Sequence, residues 1–200
     1  MDFGGKTSVL PAEAFTHIRM IIGIILGLGV SRILIGLARF IQHPGKSRIY
    51  PVHFAWCAFL LLSMMHFWWF EFGLRSIPLW TFEKYLFVLG YTGVYFFLCT
   101  LLFPDSLEDY TGYQDYFLSR RSWFFGLLGL LYAADVIDTL IKGNEHFEQY
   151  GIEYPIRIMI FIALCITGAT VKNPRFHAVL ATVALIYETT FMLRHFSTLS

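Results

Sequence analysis

Charge is what this chain lacks most. Asp, Glu, Lys and Arg make up 14% of its 200 residues, against roughly 25% in soluble domains. Hydrophobic residues reach 56%, and mean hydropathy is +0.59. A water-soluble globule is excluded. The net charge of +1 provides neither a basic surface for nucleic acid nor an acidic tail. Cysteine is scarce too: Cys57, Cys99 and Cys165 stand singly in separate apolar segments, without C-x-x-C spacing, as small core residues do. H-E-x-x-H, G-x-S-x-G and a Gly-rich phosphate loop are missing. No enzymatic reaction is indicated. Asp135 and Asp138 lack the further oxygen ligands that a divalent cation needs, so no metal site is expected. The first residues have no basic start followed by a short apolar run and a cleavage site, so the first apolar segment is expected to be an uncleaved insertion signal.

What the chain has is long apolar runs. A membrane-crossing helix takes about 20 mainly apolar residues, and segments 18–41, 52–73, 85–103, 122–141, 155–171 and 176–193 come near that length. The expected fold class is all-α, a polytopic bundle of six transmembrane helices forming one membrane domain over 1–200. The lipid bilayer is its first partner. The two halves carry no motif in corresponding positions, so no inverted repeat is read. With an even number of spans both termini lie on one side, called face A here, and the other side is face B. Lys and Arg divide evenly between the faces, but the short face-B loops are denser in them, which favours face B as cytoplasmic and the plasma membrane as the location.

Local signals refine the picture. Gly23, Gly27 and Ser31 recur every four residues in the first span, a small-residue face suited to close helix packing within the chain or in a homo-oligomer. Glu71 and Arg75 are four apart, as a surface ion pair would be. Residues 104–121 interleave acidic and aromatic side chains, which fits a short interfacial helix or a solvated loop, and offers a surface for a membrane protein partner.

Ionisable residues inside the spans mark where function would sit. A charge at hydrocarbon depth costs roughly 2.5–3.5 kcal/mol on insertion scales, so Arg32, Asp135, Asp138 and Glu188 must face protein or water. A rise of about 1.5 Å per residue puts Asp135 and Glu188 at similar depth, somewhat toward face A, and Arg32 near mid-membrane. Arg32 is therefore expected to pair with at least one of Asp135, Asp138 or Glu188. On the last span, His177, Ala181, Ala184, Glu188 and His195 fall in one line at 100° per residue, a pattern suited to a proton or ion path.

The histidines admit a second pattern. His53 and His66 lie toward opposite leaflets of one helix, with His177 and His195 at matching depths, as bis-histidine ligands of two haems would. Satisfied core or interfacial histidines are the competing reading. Three functions are compatible with the sequence: a small oligomeric ion or proton channel or transporter, with no cofactor; a non-catalytic membrane subunit or sensor of a larger complex; and haem-based electron transfer.

Overall fold

The computed structural model describes residues 11–43, 45, 49–143 and 151–195, apart from the side chains of Pro11, Ala12 and His195. Six long helices are present among them: α1 Pro11–Gln42, α2 Pro51–Phe70, α3 Phe82–Leu102, α4 Tyr113–Lys142, α5 Glu153–Thr170 and α6 Pro174–His195. All six are long and apolar enough to cross a membrane. The protein is a multi-pass helical membrane protein.

Each helix starts and stops where local chemistry dictates. Pro11, Pro51 and Pro174 open α1, α2 and α6, where a missing backbone N–H costs nothing. The Thr81 hydroxyl caps α3 by accepting from the Lys84 N–H at 3.4 Å. α4 is bounded by Gly112 and Gly143, at φ 148° and 113°, values disfavoured for residues with a Cβ. α2 tightens at its end into a 3-10 segment, Glu71–Ser76. Residues 104–121 divide between the two expectations. The stretch from Tyr113 onward is helical and extends α4, whereas 104–112 is loop.

α1, α3, α4 and α5 pack side by side in that order, and α2 lies against α6 while also touching α1, α3 and α4. Ile24, Leu28, Phe97, Ile160, Ile166 and Val179 are exposed on the outside, where lipid takes the place of water. Inside, the face-B half is aromatic. Trp56 packs on Phe59, Phe124 and Phe125 at centroid distances of 5.3, 5.0 and 5.6 Å.

The small-residue face differs from expectation. Gly23 does pack inward, against the Trp68 ring, but Gly27 and Ser31 are exposed. Close packing within the chain falls instead to Gly29, against Met64 and Cys99, and Gly36, against Phe103. Residues seven apart stay on one side of a helix meeting its neighbour at a shallow angle, and α1 follows that period along α3.

Candidate functional site

Polar side chains concentrate in the face-A half of the bundle. Asp135 and Glu188 each stand seven residues before the face-A ends of α4 and α6, about 10 Å inside them at 1.5 Å per residue. The shared depth expected from sequence holds, and both line one cavity of about 30 Å³ together with Ser63, His66, Tyr91, Tyr95, Tyr132 and Arg157. One water needs roughly 10–15 Å³ and two to four polar partners, so this chamber has room and donors for one or two.

Two pairs of ionisable side chains face each other across it. His66 Nδ1 on α2 lies 2.7 Å from Glu188 Oε1 on α6. On the other side, Asp135 accepts from the Tyr154 hydroxyl at 2.8 Å and the Tyr91 hydroxyl at 3.2 Å, with Arg157 Nη2 at 3.7 Å. Thr139 extends the network, donating to the Asp135 carbonyl at 2.8 Å and contacting the Tyr154 hydroxyl at 2.9 Å. The Arg157 guanidinium also lies 4.2 Å from the Phe191 ring centroid, a cation–π contact of a buried side chain. At the rim, Glu153 accepts from Arg194 at 2.8 Å and from the Tyr187 hydroxyl at 3.1 Å. Polar groups therefore continue from the chamber to face A.

Toward face B the lining changes. Trp56, Phe59, Phe125, Leu128, Phe161 and Leu180 surround a void of about 10 Å³, at the bottom of what one water requires and without its polar partners. The α6 line is buried at His177, Ala181, Ala184 and Glu188 as its periodicity predicts, but this aromatic layer separates His177 from Glu188. His177 stacks on Phe125 at 5.5 Å, and its Nε2 lies 2.8 Å from the Val171 carbonyl, closing the α5–α6 turn. The His195 side chain lies outside the described residues. His53 is buried with its ring against Phe103 and Tyr113 at 4.8 and 4.7 Å, and neither ring nitrogen is hydrogen-bonded.

Arg32 corrects the sequence expectation. It bonds the Phe103 carbonyl at 3.1 Å and pairs with Asp105, remote from Asp135, Asp138 and Glu188. The cause is helix overhang: α1 runs ten residues beyond Arg32, whereas α3, which runs parallel to it, stops at Leu102 beside it. Arg32 thus reaches the loop end of α3 rather than mid-membrane, and its charge faces the carbonyl end of a helix, where a cation is favoured. The Arg32 guanidinium, by donating to Asp105 and by its charge, holds that carboxyl below its ordinary pKa.

Asp138 and Glu71 form a second cluster. Glu71 continues the buried Leu60, Met64 and Phe67 stripe of α2 rather than lying along the surface with exposed Arg75, and Lys142 Nζ meets Glu71 Oε1 at 2.9 Å and Asp138 Oδ2 at 2.5 Å. The same ammonium donates to the Phe70 carbonyl at 3.3 Å and lies 3.6 Å from the Phe70 ring centroid. It serves the carbonyl ends of α2 and α4 at once, since those last carbonyls have no partner of their own.

Lys142 and Arg157 carry no sequence expectation, Glu71 is expected at the surface and His66 only as a haem ligand, whereas the structure engages all four in polar contacts. The i,i+4 spacing of Asp138 and Lys142 was the available clue. Three comparisons, with protein-family models, with curated proteins and with solved structures, each yield no match for this chain.

Proposed function

We propose that the protein is a proton-linked membrane transport protein in which the His66–Glu188 pair takes up and releases the proton. The observation that carries this reading is the chamber itself, a water-sized cavity lined by a histidine, two acids and an arginine within a bundle of membrane-spanning helices. Asp135 and Arg157 balance each other in charge. Glu188 and His66 balance only while a proton resides between them, so uptake and release switch the chamber between neutral and negative. Imidazole and carboxyl side chains suit that task because each can both accept and donate a proton. With face B cytoplasmic, the chamber exchanges protons with the outside, and the Trp56–Phe125 layer closes the cytoplasmic side until the helices rearrange.

That closed layer also favours a second reading, in which the chamber senses pH for a membrane partner and nothing passes through. Proton flux into pH-jumped liposomes separates the two. Transport predicts flux above empty liposomes, abolished by Glu188→Gln, which keeps shape and hydrogen bonding but removes the titrating group. Wild-type liposomes without flux at any pH or voltage would defeat the transport reading and leave the sensor.

A further inference from the structure

Lys142, Glu71 and Asp138 raise a problem of charge that the chamber does not share. Their side chains are 0%, 1% and 0% exposed. Two carboxylates and one ammonium would leave an excess negative charge in a medium that strongly penalises an uncompensated ion. Lys142 occupies one oxygen of each acid, while Glu71 Oε2 and Asp138 Oδ1 are buried and find no donor among the described residues. Both carboxyls bond the same ammonium and so lie side by side. Carboxylates carry no donor, so pairing the free oxygen of one acid with that of the other requires a proton.

We infer that Glu71 and Asp138 share one proton, forming with Lys142 a neutral buried triad that latches the end of α2 to the end of α4. One carboxyl donates, the other accepts, and the ammonium balances the single remaining negative charge. An O–H···O⁻ bond is among the short, strong classes of hydrogen bond. The surrounding titratable groups are Asp135 one turn earlier on α4, Tyr91 and Tyr95 on α3 and Arg19 on α1, each coupled to the triad through space. None of them is within bonding distance of the Lys142 ammonium, whose partners are Glu71, Asp138 and Phe70. The triad is thus a proton-holding site distinct from the His66–Glu188 pair.

Infrared spectra of the full chain in liposomes at neutral pH test this. Wild type is expected to show a protonated-carboxyl stretch that shifts in deuterium oxide. Glu71→Gln and Asp138→Asn are each expected to lose it, because the amide takes over donation and the remaining acid ionises against Lys142. Glu188→Gln leaves that component in place. Lys142→Met removes the counter-charge, so the second carboxyl protonates and the band gains intensity, about twofold. No such band in wild type, or one surviving both amide variants, overturns the inference. Should the amide variants fail to accumulate, wild type and Lys142→Met decide: an absent band, or one unchanged by Lys142→Met, overturns it.

Discussion

His66 on α2 and Glu188 on α6 meet through a single 2.7 Å contact, with side chains only 13% and 5% exposed. α2 and α6 come from opposite ends of the chain, and this bond ties them together at the level of Asp135. Breaking it acts on both the fold and the chamber.

Removing one partner of a buried charged pair costs about 3–5 kcal/mol, because the other is left stranded. Glu188→Ala is therefore expected to lower the thermal midpoint in detergent well below that of Glu188→Gln, whose amide still bonds the imidazole. In a double-mutant cycle, His66→Ala with Glu188→Ala should lose less than the two single changes summed, by about 0.5–3 kcal/mol. Additive losses would show that the contact contributes nothing to stability.

Lys142→Ala is expected to be among the most damaging single substitutions, at about 3–5 kcal/mol, since it strands two acids and uncovers the α2 carbonyl end. The triple change Lys142→Met, Glu71→Gln, Asp138→Asn should recover much of that loss, because no ion remains to be compensated. Detergent-stability curves of the two proteins check the order.

At the face-B loop, the Arg32–Asp105 contact carries a pH signature. Arg32 depresses the Asp105 pKa in the folded state, so the contact is fully present above the ordinary carboxylate range and is lost as pH falls through the lowered value. A spin label at Ser106 should report a loop that loosens only at acidic pH. Asp105→Asn should remove that acid dependence, and a profile unchanged by the substitution would argue that Arg32 holds the loop through the Phe103 carbonyl alone.

Glycines on α1 should respond unequally to an added methyl group. A Cβ on Gly36 would run into the Phe103 ring, whereas one on Gly27 meets nothing within 4 Å. Gly36→Ala is expected to cost about 1–3 kcal/mol as an overpacking change. Gly27→Ala should leave the monomer's stability intact, so a change in subunit association on Gly27→Ala alone would mark the exposed Gly27–Ser31 side as a seam between copies. Gly168, where a Cβ would approach the Phe125 ring at 2.8 Å, should behave like Gly36.

Some of the site was legible before any folding was known. The depth match of Asp135 and Glu188 followed from counting residues along two helices, and the inward line of α6 followed from its period, since a helix must turn its small and titratable side away from lipid. The partners were not legible in the same way. Arg32 read as mid-membrane because a span's ends were set equal to the bilayer's, and α1 exceeds them. The i,i+4 spacing of Glu71 to Arg75 suggests a surface pair, but Glu71 also continues the buried Leu60, Met64 and Phe67 period of α2, and only the packing of α4 beside it supplies Lys142.

What the sequence determined by itself is the set of six helices and the membrane they occupy. Without water, each backbone N–H and C=O must be satisfied within its own helix, so length and apolarity fix each span before any helix meets another. Which charge meets which was decided only by the tertiary structure. Helical period gives a side chain's direction around its own axis, but ion pairs such as His66–Glu188 and Arg157–Asp135 depend on helix order, tilt and overhang, and these are set by how the Trp56 and Phe125 layer and the Gly29 and Gly36 contacts pack.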